Sequence, residues 1–383
     1  MRNKNYVFEN KQYTEEEYFK KINEIEPGSF LVLNSIQERF NGLIGGHSVH
    51  KFANILKSLN STGHNILNSK NIKASFEAYD SENIKYCARI AARAKDCYDC
   101  YGIGSGELYY EIIASGFEGY RAFFSFQIDA SREMYYSSFC INSSNLFGCI
   151  GLRNKQYCIL NKQYTKEEYE KLVPRIIEGM NSAPYIDKKG KVYKYGEFFP
   201  PELSPFAYNE TIAQEYFPLT KEEALNQGYS CKDPEPRQYT ITMTNDQIPD
   251  RIKDVSDSIL NEIIQCAHTS ILGSGTSLDC NEQCSEAFKI IPQELQFYRK
   301  MNLPLPRLCP NCRHYQRIKQ RNPLKLWRRK CMCTGRESDN EVYENATDHF
   351  HGEDHCPNEF ETSYAPERSE IVYCEQCYNA EVA

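Results

Sequence analysis

Apolar side chains recur along residues 67 to 160 in short clusters, each led by a polar pair: NIKAS, NIKYC, DCYDC, ELYYE, YRAFF, EMYYS, NLFGC and QYCIL. One anchor per cluster gives two interleaved series, Ile72, Cys97, Ala122 and Leu146, and Ile84, Leu108, Met134 and Tyr157, with steps of 23 to 26 residues. A chain that returns the same face at a fixed period stacks like on like, each rung burying its apolar side chains against the rung above. The pattern predicts a mainly β protein with some α-helix, built around a parallel β-solenoid of half-rungs about 12 residues long. Cys87, Cys97, Cys100, Cys140, Cys149 and Cys158 fall in or beside these strands at irregular spacing. They read as small buried hydrophobes in a narrow core.

A second pattern frames the first. RNKNYVFENKQYTEEEY at residues 2–18 returns as RNKQYCILNKQYTKEEY at 153–169, identical at 12 of 17 positions. Each copy predicts a strand, a tight polar turn and a helix opened by a capping box, Thr14 with Glu17 and Thr165 with Glu168. The second copy closes the solenoid. The first stands at the start, as the last strand and cap of an upstream array that was lost or truncated would. The expected organisation is therefore a partial end-repeat and cap helix over 1–25, a connecting segment over 26–66, and the solenoid with its capping helix over 67–182. A connector rich in proline and aromatics follows over 183–265, with a short helix opened by Thr220 and a final helix across 250–265 that carries Ile252, Val255, Ile259, Leu260 and Ile263. Its density of Phe and Tyr predicts packing on neighbours, unlike a flexible linker. Residues 266–383 form a double metal-binding domain.

Composition narrows the functional classes. The chain has 383 residues and a formal net charge of -7, so no global basic field would draw it to nucleic acid or anionic lipid. No basic start leads into an apolar stretch, and no run of 18 apolar residues occurs. A cytoplasmic protein without a membrane partner is expected. Seventeen cysteines crowded into CxxC-type pairs in a large chain point to metal ligation more than to disulfides.

Two zinc ions per chain follow from the spacing. CNEQC places Cys280 and Cys284 ahead of CPNC, Cys309 and Cys312, and two such knuckles bring four thiolates to the corners of a tetrahedron; Cys266 is the alternate for one place. The second set is Cys331, Cys356, Cys374 and Cys377, with Cys331 preferred to its neighbour Cys333. His349, His351 and His355 lie in the acidic loop between and are expected to be bystanders to a complete thiolate set. Four protein ligands leave no coordination position for water, which disfavours catalysis at zinc.

Between the two sets, residues 313–330 carry eight Lys or Arg and no acid, with the only tryptophan of the chain. Arg313, Arg317, Lys319, Arg321, Lys325, Arg328, Arg329 and Lys330 are candidate phosphate contacts, and Trp327 can stack on a base. The competing reading is that the basic side chains answer the negative charge of the zinc–thiolate centres. Phosphate-loop, dinucleotide, nucleophile-elbow and zinc-protease motifs are absent. The function expected is a zinc-binding, non-catalytic module that contacts RNA, DNA or a ribonucleoprotein through 313–330. The alternative is a scaffold whose solenoid face binds another protein, with purely structural zinc, and an enzyme with a site in the 183–265 connector ranks third.

ELQFYRKMNLPLPRLCPNCRHYQR, RNPLKLWRRKCMC, CPNEFETSYAPERSEIVYCEQCY and LFGCIGLRNKQYCILNKQYTKEEYE together resemble an uncharacterised group of bacterial proteins. These combine treble-clef or zinc-ribbon-like cysteine sites with a cysteine-rich solenoid. The resemblance covers residues 67–383 and implies zinc at both cysteine sets, but no activity. Some members carry a label of CoA transfer that nothing in these residues supports.

Overall fold

The computed structural model describes residues 5–9, 11–91, 93–233, 239–268 and 283–382. They divide into two compact units, one formed by Met1–Gly46 with Asp233–Arg321 and the other by His47–Lys232 with Asn322–Ala383. Residues 266–383 thus contribute to both. Among the described residues no helix is long and apolar enough to cross a membrane.

The larger unit is a parallel β-solenoid of about nine turns over residues 55–159. Its register shows how much chain closes a turn. Ile72 pairs with Ile84, Ile84 with Cys97, Cys97 with Tyr109, Tyr109 with Ala122, Ala122 with Met134, Met134 with Leu146 and Leu146 with Cys158. The two predicted series therefore merge into one stack, and a dozen residues make a whole turn rather than half of one. Leu108 and Tyr157 each stand one position before the true inward residue, Tyr109 or Cys158.

The short turn has a conformational cause. Glu133, Tyr136, Phe139, Asn142 and Asn145, spaced three apart, all have φ between 49° and 55°, the left-handed region. Each makes a corner, and four corners close one turn. Such a residue costs roughly 1–2 kcal/mol outside glycine and less for Asn or Asp, whose side chains bond locally. The cost is offset between turns, where the corner N–H donates to a carbonyl 13 residues earlier, as from Tyr136 to Phe123, Phe139 to Phe126 and Asn142 to Asp129. Asn side chains at the corners bond into ladders, Asn60 to Asn71 to Asn83 to Asp96, at 3.0, 3.0 and 2.8 Å.

The residue after each corner points inward, so the interior repeats every three positions. One column is large and apolar (Ile72, Ile84, Met134 and Leu146), and the column two sides further on is similar (Ala78, Ile90, Ile103 and Ile128). The columns between are small apart from Ile112: Ser69, Ser81, Ala94, Gly106, Gly119, Ser131 and Ser143 fill one of them. Their hydroxyls do backbone work. Ser131 Oγ donates to the Asp129 carbonyl at 2.7 Å and accepts the Ser143 N–H one turn later at 3.2 Å, and Ser143 Oγ in turn accepts the Lys155 N–H. The tightest accommodation is at Tyr109, which is fully buried; its ring occupies the space where Gly106 and Gly119 carry no Cβ.

The last turn is closed as the repeat predicted. Gln156–Ile159 turns back onto Lys162–Gln163, and the helix Lys166–Ser182 opens on a complete Thr165–Glu168 capping box. Leu172, Val173, Ile176 and Ile177 of this helix pack on Phe147 and Ile159. The part of the connector up to Lys232 lies along the solenoid. Tyr195 and Phe199 contact Tyr136, whose hydroxyl donates to Glu197 O at 3.2 Å. In the same unit Ile371–Tyr373 pairs in parallel with Val49–Lys51.

In the smaller unit the first copy of the repeat forms the matching hairpin, Tyr6–Phe8 with Lys11–Tyr13, and the helix Glu15–Glu24 with a complete Thr14–Glu17 capping box. The helix expected over 250–265 does not form. Two 3-10 helices, Ile252–Asp254 and Asp257–Asn261, lead into the strand Ile264–Gln265. Val255 and Ser256 between them are extended, and Val255 is buried in the core of this unit. Ile252, Val255, Ile259 and Ile264 still reach the core.

Candidate metal centres

In the smaller unit, Ile264–Gln265 pairs antiparallel with Ala287–Phe288. Cys266 follows the first strand and Cys284 precedes the second. Cys309 caps the helix Pro310–Lys319, its Sγ accepting the N–H of Cys312 at 3.5 Å, with Pro310 at the first helical position. The four cysteines are at most 5% exposed, and their Sγ atoms all lie within 4.8 Å of one another. Zn–S bonds near 2.3 Å in a tetrahedron require sulfurs roughly 3.8 Å apart; Cys309 and Cys284 are 4.0 Å apart. Backbone N–H groups of Cys309 and Glu286 donate to Cys266 and Cys284 at 3.2 and 3.3 Å, a pattern that favours thiolate. Hydrogen bonds from Cys266 and Cys284 pull Cys309 far below the ordinary thiol range, and the same contacts push Cys284 up. These sulfurs share their protons; a divalent cation would replace them. Cys266, the expected alternate, takes the fourth place, and Cys280 lies outside the described residues.

The larger unit holds the second set. The strand Trp327–Lys330, paired with Glu359–Thr362, delivers Cys331, while Ile371–Tyr373 leads to Cys374 and the helix Glu375–Val382 carries Cys377 in its first turn. Cys331, Cys356, Cys374 and Cys377 are buried and mutually within 4.8 Å, with Cys356 3.9 Å from Cys374 and 3.7 Å from Cys377. Cys374 receives Asn358 Nδ2 at 3.3 Å and the Cys377 N–H at 3.5 Å. The thiol of Cys331, bonded to it, brings Cys374 down to about 4.

Cys333, expected only as an alternate, belongs to a third group with His349, His351 and the same Cys377. Two of the three loop histidines, expected to be bystanders, thus lie in a group that could hold a metal ion, while His355 is not in it. Sequence reasoning also missed the residues that hold these ligands. His349 Nε2 meets Glu381 at 3.0 Å, His351 Nδ1 meets the Asp354 carbonyl at 2.7 Å, and Asn345 Nδ2 donates to Cys333 at 3.3 Å. The available signal was the surplus: a cysteine two places past Cys331 and an HxH in the same loop.

The basic segment is divided between the units at Arg321. Arg313, Arg317, Lys319 and Arg321 lie in or just after the helix that bears Cys309, and Arg313 is engaged with Glu294 at 3.4 Å and with Tyr298 at 2.9 Å. Lys325, Trp327, Arg328, Arg329 and Lys330 lie in the other unit. Arg328 pairs with Glu359 at 2.6 Å, Arg329 donates to the Ala365 carbonyl at 3.3 Å, and Lys325 sits 5.1 Å from the Trp327 ring centre. In the connector, Ile212, Tyr216 and Phe217 line a groove of about 520 Å³ against Tyr86, Tyr101 and Ile113, in which Asp99 is the one acid.

Comparison with family models, curated proteins and solved structures finds no match.

Proposed function

We propose that this chain is a zinc-stapled, non-catalytic scaffold whose solenoid surface binds another protein. The observation that carries the structural role of zinc is closure: in each four-cysteine set every ligand is a buried protein thiol, which leaves no position for a substrate or an activating water. Both sets sit inside the cores, Cys266, Cys284, Cys309 and Cys312 among Ile264, Phe288 and Leu305, and the second set around Ile371 and Tyr373. A treble-clef type of site is supported by the helix N-termini that carry Cys309 and Cys312 in one set and Cys374 and Cys377 in the other. A protein partner is favoured by exposed apolar side chains along the solenoid, Ile113 and, two and three turns further on, Phe139 and Ile150.

The second reading keeps the nucleic-acid partner, on the strength of eight positive charges in 18 residues. Against it, Arg313, Arg328 and Arg329 have internal partners and the segment is shared between two units. One preparation tests both. Metal content by mass spectrometry, on protein purified without added metal, is expected to show zinc filling both four-cysteine sets, with an absorbance ratio free of nucleic acid. Co-purifying nucleic acid that is released by salt, and lost when Arg317, Lys319, Arg321 and Lys325 are changed to Glu, would move the function to the second reading. Fewer than two zincs per chain would overturn the structural-zinc reading.

A further inference from the structure

The second and third groups share one sulfur. Cys377 lies within 4.8 Å of Cys331, Cys356 and Cys374 on one side and of Cys333, His349 and His351 on the other. We propose that the larger unit holds a dinuclear zinc centre in which the Cys377 thiolate bridges two ions, one completed by Cys331, Cys356 and Cys374, the other by Cys333, His349 and His351. This rests on the structural-zinc reading above and extends it from one ion per unit to three per chain.

The histidines carry the inference. The His349 side chain is fully buried, its Nε2 faces Glu381, and its Nδ1 has no hydrogen-bond partner. With the proton on Nε2, where the carboxylate holds it, Nδ1 presents a lone pair to an apolar interior, an arrangement that costs free energy unless something accepts that pair. His351 is oriented in the opposite sense. Its Nδ1 donates to the Asp354 carbonyl at 2.7 Å, which leaves the Nε2 lone pair 3.3 Å from Cys377 Sγ. For a zinc with Zn–N near 2.0 Å and Zn–S near 2.3 Å the two atoms would stand roughly 3.6 Å apart. Carboxylate and carbonyl partners on the remote nitrogens are the usual way in which a protein fixes the tautomer of a zinc-ligating histidine.

The thiolates are prepared in the same manner. Cys333 Sγ accepts from the Gly335 N–H at 3.5 Å and from Asn345 Nδ2 at 3.3 Å, and Asn345 is itself held by the Tyr373 hydroxyl at 2.8 Å. Sharing Cys377 also eases the electrostatics. An isolated four-thiolate zinc carries a formal charge of -2, whereas two zincs with five thiolates and two neutral imidazoles carry -1 in the same buried volume.

The test is metal stoichiometry with X-ray absorption on the full chain loaded with zinc. The expected result is three zincs per chain and a zinc–zinc scattering feature at roughly 3.5 Å. Cys333→Ser and His351→Ala should each lower the count to two and abolish that feature while the far-ultraviolet dichroism is retained. Two zincs in the unaltered chain without metal–metal scattering, or three without it, overturns the bridge and leaves the structural-zinc reading standing; fewer than two overturns both. Should either variant fail to fold, the scattering of the unaltered chain decides the matter alone.

Discussion

The backbone N–H of Cys100 donates to the Sγ of Cys87, one turn earlier in the solenoid, at 3.3 Å. Cys87 in turn points its thiol at the Lys85 carbonyl and gives its own N–H to Ser75 Oγ at 3.1 Å. Sulfur here repeats the role that Ser131 and Ser143 play in the opposite small column, and Cys149 does the same for the Asn161 N–H at 3.5 Å. These cysteines are small enough for the narrow column and polar enough to take the hydrogen bond of the next turn. Cys87→Ser should therefore leave stability within about 1 kcal/mol, whereas Cys87→Ala strands a buried N–H and should cost about 1–3 kcal/mol. Urea denaturation of the two variants checks the difference, and equal losses would reduce Cys87 to a space-filler.

Tyr109 and Gly119 make a complementary pair. A Cβ on residue 119 would stand 1.7 Å from the Tyr109 hydroxyl. Gly119→Ala should lower stability by about 1–3 kcal/mol through overpacking. Tyr109→Phe removes the colliding oxygen together with its bond from Ser115 Oγ at 3.1 Å. The double variant should be less destabilised than the sum of the two single ones, and a strictly additive cycle would count against the contact.

Removing one ligand from the smaller unit should act on that unit. Cys312→Ser leaves three thiols at a site embedded in the core around Ile264 and Leu295. Loss of one zinc by mass spectrometry is expected, with faster hydrogen exchange across 240–268 and 283–320 and unchanged protection of the solenoid turns over 72–158. Uniform loss of protection throughout would show that the two units unfold as one.

Acid stability should depend on Glu370, which is buried beside Arg368. Burial raises its carboxyl, but the Arg368 hydrogen bonds and charge outweigh this and hold it below the ordinary carboxylate range. A depressed folded value gives stability that is full above the unfolded value of about 4.3 and is lost as pH falls through the folded one. Arg368→Met leaves burial as the dominant influence, so the sign reverses and Glu370 is protonated at higher pH. Relative to the unaltered chain, the variant should then lose progressively more stability as pH rises from about 3 to about 6, because the other carboxylates are common to both, and a difference in denaturation midpoints that does not change with pH would count against the pairing.

Much of the fold was legible because its signals are local. The two copies of the duplicated segment carry their own capping boxes, Thr14–Glu17 and Thr165–Glu168, and both fold as hairpin and helix. Thr220 likewise caps the helix Lys221–Gln227. Stacking was legible because Ile72, Ile84, Met134 and Leu146 recur at the right spacing. Turn size was not. Period-two and period-3.6 patterns are the ones that ordinary strands and helices write, and a corner in left-handed conformation at every third residue leaves Tyr136 or Phe139 looking like any other aromatic position. The predicted helix across 250–265 failed for a related reason: its apolar spacing was real, but Ile252, Val255, Ile259 and Ile264 reach the core from two 3-10 helices and a strand.

The sequence by itself determined that the chain stacks in parallel turns, that the second copy of a duplicated cap closes them, and that its later cysteines are grouped so that they could hold metal ions. These are matters of spacing and side-chain chemistry, which the chain carries wherever it goes. Only the tertiary structure decided which ligands meet. Cys266 reaches Cys284, Cys309 and Cys312 because strand pairing folds Ile264 back against Phe288, and His349 and His351 reach Cys333 and Cys377 because the loop returns to a helix that begins at Glu375. Coordination is a three-dimensional condition on lone pairs a few ångströms apart, and linear spacing constrains it only where the ligands lie within one turn of the same element.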